Sequence, residues 1–144
     1  MRGGKILVRD NAGYRVGIHM KEYGAVRPTI VIGGTAQHFM GEYMAGGVLV
    51  VLGRRLGADQ PHPSHLVGTG MHGGVIYLRG KVDTSLLGKE VGQAPLEPED
   101  DWLLQQLIWE YASTFQVPAE PLLSRPFAKL VPLTKRPYGR LYAY

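Results

Sequence analysis

Short apolar runs separated by glycine-rich segments occupy the first two thirds of the chain. Four of these runs have the Val, Ile and Leu content of β-strands, and each closes on a glycine except the first, which closes on Asp10. The four runs are residues 5–10, 29–33, 48–53 and 75–80. Their closing residues follow one another at intervals of 23, 20 and 27 residues, so the pattern predicts strands that recur along the chain.

Alternation within the runs predicts which side chains share a face of the sheet. Two inward-facing columns are expected, one of Ile6, Leu49 and Ile76 and one of Val8, Val51 and Leu78. The residues expected to face outward are Lys5, Arg9, Tyr77 and Arg79.

A glycine motif precedes the later strands. The pattern Gly-x-x-Met-x-Gly-Gly occurs at 41–47 and 68–74, and its first half occurs at 17–20, where Glu22 and Tyr23 replace the paired glycines. A unit of about 20 residues with two extended runs buries its apolar residues only against the next copy. The sequence therefore predicts an all-β fold with a C-terminal helix, in which a right-handed parallel β-helix forms a single-stranded solenoid. The alternative is a β-sandwich or barrel with glycine turns.

The motif glycines are expected at corners that require positive φ or a close backbone approach. They are Gly17, Gly41, Gly46, Gly47, Gly68, Gly73 and Gly74. We interpret them as structural positions of the repeat.

Composition divides the chain into two regions. Nineteen of the twenty glycines lie at or before Gly92, whereas seven of the ten prolines lie at or after Pro95. We therefore predict the β-helix in residues 1–92, and a helix with an extended tail packing on the solenoid in residues 93–144.

Apolar residues recur at helical spacing from Leu104 to Phe115. Pro98 and its acidic neighbours suit the start of this helix, and Pro118 ends it. Docking on one side of the solenoid is expected, with Trp102 and Trp109 as anchors.

Composition and charge exclude several classes of site. The chain contains no cysteine, which excludes disulfides, thiolate zinc sites, iron–sulfur ligation and a cysteine nucleophile. No apolar run is long enough to cross a membrane, and no secretory signal follows Met1, so a cytoplasmic protein is expected. The net charge is +4, and no acid follows Glu120. We interpret the basic tail as crossing an acidic neighbour in its own fold, and expect no nucleic-acid partner.

Histidines are the candidate metal ligands. His38 and His65 occupy equivalent repeat positions, and His62 precedes His65 by three residues, so three imidazoles could ligate zinc or copper. The alternative is a stacked polar column, and we expect no bound metal. Residues 68–73 fit Gly-x-Gly-x-x-Gly, but no helix is expected after them, so a dinucleotide site is not predicted. No catalytic constellation emerges.

The repeat, with Ala36 and Phe39 upstream of Gly41, resembles the GXGXG domain. This domain is the C-terminal right-handed β-helix of the glutamate synthase large subunit, and it also occurs in one of the subunits of formylmethanofuran dehydrogenase. Residues 124–132 and 136–142 are similar to the end of the stand-alone, archaeal-type form, in which glutamate synthase is divided into separately encoded parts.

The resemblance implies a structural and docking element without catalytic residues or cofactors of its own. Its expected partners are a glutamine amidotransferase and a synthase that carries FMN and iron–sulfur clusters and aminates 2-oxoglutarate reductively. A role in a formylmethanofuran dehydrogenase and a histidine-based ligand or metal module remain the alternatives. The first strand is expected to leave an open ladder edge that a partner or a second copy covers, and whether the N-terminus is truncated is left open.

Overall fold

The computed structural model describes residues 1–133 and places six strands in one sheet. The strands are β1 (Lys5–Val8), β2 (Thr29–Ile32), β3 (Ala45–Val51), β4 (Gly73–Arg79), β5 (Val91–Ala94) and β6 (Phe127–Pro132). Helix α1 spans Pro98–Phe115, helix α2 spans Glu120–Leu123, and a 3-10 turn spans Thr84–Leu86. The segment 136–142, which contributed to the family resemblance, lies outside the described residues.

The sheet is mixed, with the strand order β1-β2-β3-β4-β6-β5. The first four strands are parallel, as expected where long connections return the chain to the same end of a sheet. β6 is antiparallel to both of its neighbours, β4 and β5. The chain that follows α1 therefore adds a strand to the sheet that the repeat begins.

The predicted fold class, an all-β parallel β-helix, is wrong, because residues 1–133 form a small α/β domain with a mixed sheet and two helices. The prediction assigned two extended runs to each repeat, but only one of them is a strand. The motif segment is a turn instead, with Phe39, Gly41 and Tyr43 in the left-handed region at φ 64°, 69° and 53°. Antiparallel strands and a long helix complete the structure.

One side of the sheet, here called the turn face, is covered by the repeat turns. Pairing places Ile30, Leu49 and Ile76 side by side across three strands. Methionines of the motif pack on them, and Met20, Met44 and Met71 are all fully buried. Ile6 continues the column on β1 but is 46% exposed, because β1 forms an edge of the sheet in the described part of the chain.

The opposite side, here called the helix face, is covered by α1. It carries the alternate residues of the same strands, including Val31, Val50 and Tyr77. Tyr77 and Arg79, which were expected to face outward, are only 2% and 6% exposed. The two faces together explain why the sequence of these strands is nearly continuously apolar.

Helix α1 docks through a stripe at helical spacing, and each large apolar side chain in it contributes roughly 1.5–3 kcal/mol by burial. The buried apolar residues of the stripe are Leu104, Leu107, Ile108, Tyr111 and Ala112. The predicted anchors are wrong, since Trp102 is 66% exposed and Trp109 is 50% exposed. Both tryptophans lie away from the stripe, on the solvent side of the helix. Within residues 1–133, no helix is both long enough and apolar enough to cross a membrane.

Candidate functional site

The repeat turns place residues in the left-handed region at three equivalent positions. These are Arg15, Gly17 and His19 in the first copy, Phe39, Gly41 and Tyr43 in the second, and Leu66, Gly68 and Gly70 in the third. Such a conformation is costly for a residue with a side chain and persists only where the surroundings fix it. Here hydrogen bonds between successive turns fix it: Arg15 N donates to His38 O at 3.0 Å, and Tyr43 N donates to Thr69 O at 2.8 Å.

The paired glycines lie where no side chain fits. Gly47 has φ 92°, and a Cβ there would lie 2.7 Å from the carbonyl oxygen of Pro28. Gly74 has φ 82°, and its Cβ would lie 2.8 Å from the carbonyl carbon of Gly46. Both the conformation and the close backbone approach therefore require glycine at these corners.

The first repeat replaces the paired glycines with a side-chain contact. Glu22 Oε1 accepts a hydrogen bond from Gly47 N at 2.8 Å, which ties the first corner to the second. Tyr23 pairs with Val26 across a tight turn, so the chain reverses there without the glycine pair.

The structure brings two of the three candidate histidines together. The rings of His38 and His65 are 4.6 Å apart, and His65 N donates to His38 Nδ1 at 2.9 Å. His62 is buried elsewhere, with its Nε2 2.8 Å from the carbonyl oxygen of Arg79. Burial lowers the pKa of His62; the Arg79 carbonyl opposes this shift and the Arg79 charge adds to it. Within residues 1–133, no group of three or more His, Asp or Glu side chains could hold a metal ion.

The glycine-rich segment 68–73 leads directly into β4. A dinucleotide-binding loop instead leads into a helix, whose N-terminus receives the pyrophosphate. The segment is part of the third repeat turn, and the structural context of a nucleotide site is missing there.

A cleft of about 500 Å³ opens beside the start of α1. Its lining includes Glu99 and Trp102 of α1 and also Glu22 and Arg27, which flank the first corner. The least exposed polar residues of the lining, here called the floor, are Tyr77 of β4, Asp100 of α1 and Lys129 of β6. The cleft is therefore the place where the first repeat, the sheet and the helix meet.

Its floor is a hydrogen-bonded network. The Tyr77 hydroxyl donates to Asp100 Oδ1, while Lys129 Nζ and Glu97 N both donate to Asp100 Oδ2 at 2.7 Å. Burial favours the neutral acid, but the hydrogen bonds from Lys129, Tyr77 and Glu97 outweigh it and hold the pKa of Asp100 below its ordinary value. Burial, followed by the hydrogen bond to Asp100, raises the pKa of Tyr77. The floor thus combines a neutral tyrosine with an ionised Asp–Lys pair.

The charged side chains at the mouth of the cleft are less tightly paired than those of its floor. Arg27 Nε lies 3.9 Å from Glu22 Oε1, and both side chains are partly exposed. Among residues 1–133, Glu99 takes part in no ion pair within 4.0 Å. The mouth therefore presents an uncompensated carboxylate beside an exposed indole.

Sequence reasoning missed most of this cleft. The sequence indicates Asp100 only as an acid at a helix start, and Lys129 only as part of a basic tail. Arg79 was expected on the surface, yet its guanidinium donates to the carbonyl oxygens of Leu122, Leu52 and Pro121 at 2.7, 3.1 and 2.9 Å. The sequence did contain one signal, the apolar stripe of α1. The stripe predicts that the helix docks on the sheet, and a docked helix buries the strand residues on that side of the sheet.

Comparisons with known proteins relate the whole described chain to one family. A family model described as the GXGXG motif matches residues 1–132. The chain is also 43% identical over 140 residues to an uncharacterized protein of Methanocaldococcus jannaschii, in an alignment that covers 92% of this chain and 52% of the relative. The chain thus spans about half the length of the curated relative that it matches.

Proposed function

The chain belongs to the GXGXG motif family, as its repeat predicted, and from this membership we propose that it is a structural and docking module of a glutamate synthase-type assembly. In this proposal a glutamine amidotransferase releases ammonia, and a synthase carrying FMN and iron–sulfur clusters adds it reductively to 2-oxoglutarate. The present chain binds neither cofactor and holds the catalytic parts together in the cytoplasm.

One observation carries the docking part of the proposal. Helix α1 buries its aliphatic stripe in the domain and leaves two tryptophans on its solvent side, with Trp102 66% and Trp109 50% exposed. Tryptophan is enriched at the energetic centres of protein interfaces, where it buries a large area at little cost in side-chain entropy. The outer surface of α1 is thus suited to contact another subunit.

Co-purification tests this proposal. The chain is expressed together with the amidotransferase and synthase subunits of its source organism, and the expected result is a stable complex with at least one of them. Replacing Trp102 and Trp109 with alanine should weaken the complex. Tyr14→Ala, which removes a similarly exposed aromatic side chain from the first repeat turn beside His38, should leave it intact.

The isolated chain supplies the complementary measurement. It should show no flavin absorbance and should release no ammonia from glutamine. Bound flavin or glutaminase activity in the pure chain would contradict a purely structural role, and failure to bind either subunit would contradict the docking role.

A further inference from the structure

The cleft wall on α1 combines two groups that recognise cations. Glu99 and Trp102 are three residues apart, so they are neighbours on the helix surface, and both line the cleft. A carboxylate attracts a cation and can accept its hydrogen bonds, while the indole face attracts the same cation through its quadrupole. The two groups together can recognise a positively charged planar group.

The charges in the cleft agree with this interpretation. The lining includes three acids, Glu22, Glu99 and Asp100, and two bases, Arg27 and Lys129. Lys129 is held by Asp100 at 2.7 Å, and Glu22 is shared between Arg27 and the backbone of the second corner. Among residues 1–133, Glu99 is the lining carboxylate that takes part in no ion pair, so this described lining carries one more negative than positive charge and favours a cation over an anion.

We infer that this cleft receives the guanidinium of an arginine side chain presented by a partner subunit. Arginine fits better than lysine because its planar group can stack on Trp102 while its N–H groups bind Glu99. The inference rests on the proposed docking function and specifies how docking occurs. Trp109 lies two helical turns from Trp102 on the same side of α1. The partner surface around the inserted arginine would therefore also contact the Trp109 indole.

Tryptophan fluorescence provides a direct test, since the protein contains two tryptophans. In a Trp109→Phe background, Trp102 is the reporter, and N-acetyl-arginine amide is the probe. We expect saturable quenching at roughly millimolar probe concentrations. The citrulline analogue, which has the same shape but no charge, should bind at least about tenfold more weakly. Equal binding of the two probes would overturn the inference.

Matched variants locate the site. Glu99→Gln should weaken binding of the arginine probe by roughly tenfold, because it removes the charge but keeps the shape. Asp101→Asn, in the same helical turn but outside the cleft lining, should leave binding unchanged. Equal effects of the two substitutions would mean that only the general acidity of α1 attracts the probe, and would overturn the site.

Partner binding separates this inference from the proposed function. If the wild-type chain captures neither subunit, the docking function fails. If it captures a subunit and Glu99→Gln binds that subunit as well as Asp101→Asn does, only the arginine site fails. A chain ending at Leu133 that binds the probe about tenfold more tightly would show that the protein's own basic C-terminal residues occupy the cleft, and would overturn the assignment to a partner.

Discussion

The two faces of the sheet are covered in different ways. On the turn face, β2, β3 and β4 are each covered by the motif that precedes them, which supplies Met20, Met44 and Met71 to the core. On the helix face, one helix, α1, covers β1 to β4 through residues that follow them in the sequence. The turn face is therefore encoded locally and repeatedly, whereas the helix face depends on contacts between distant parts of the chain.

Substitution at a repeat corner should produce the largest effect, since it breaks the local arrangement of the turn face. We expect Gly74→Val to lower the free energy of unfolding by a few kcal/mol, because φ is 82° and a Cβ would lie 2.8 Å from backbone carbon. Urea denaturation measures the change. Gly57→Val is the control, because its Cβ would have no neighbour closer than 3.9 Å. Equal stability of Gly74→Val and the wild type would contradict the corner assignment.

The network beneath the helix tests the non-local face. Asp100→Ala leaves Lys129, whose side chain is 18% exposed, without its carboxylate, and also removes the acceptor of the Tyr77 hydroxyl. The expected loss is about 2–3 kcal/mol, the usual cost of leaving buried polar groups unpaired. Thermal and urea unfolding should both show it. Asp101→Ala, an exposed neighbour, should change stability by less than about 0.5 kcal/mol, and equal losses in the two variants would contradict a structural network.

The same contrast explains what could be predicted from sequence. The first four strands and the pairing of Leu49 with Ile76 followed from the repeat, since alternation and recurring glycines are local signals. The prediction of a β-helix failed because a glycine-rich turn with alternating left-handed residues resembles an extended run in composition. Nothing in the repeat specifies that β6 would pair with β4 and bring Lys129 beside Tyr77.

The cleft shows this limit most clearly. Its groups come from the first corner, from β4, from the start of α1 and from β6, which lie far apart in the sequence. The histidine column, by contrast, lies within the repeat, and the proximity of His38 and His65 followed from their equivalent positions. Trp102 and Trp109 were misassigned because their spacing of seven residues places them on one side of α1 without indicating which side is buried.

Acid should lower the free energy of unfolding through His62. The His62 ring is buried, and its Nε2 lies 2.8 Å from the carbonyl oxygen of Arg79 at the end of β4. Its pKa in the folded state is below the ordinary value of 6.5, mainly because of burial. The unfolded chain therefore binds a proton more readily below pH 6.5, so stability is complete above that pH and is lost as the pH falls toward the lower folded pKa. His62→Gln should reduce the slope of unfolding free energy against pH between about pH 6.5 and 5, measured in urea. An unchanged slope would mean that other groups dominate the acid response, and His65→Gln, at an exposed position, is the control.

The smallest effect is expected on the outer side of α1. Trp109 is 50% exposed and lies away from the buried stripe, so Trp109→Gln should change the free energy of unfolding by less than about 0.5 kcal/mol. Leu107→Ala, two residues earlier on the buried side, should cost about 2–5 kcal/mol because it leaves a cavity against the sheet. A large loss in Trp109→Gln would mean that the indole stabilises the domain itself. An unchanged free energy of unfolding together with weakened partner binding would instead assign this tryptophan to docking. The loss of binding could not then be explained by loss of folded protein, so it would reflect a contact between the indole and the partner.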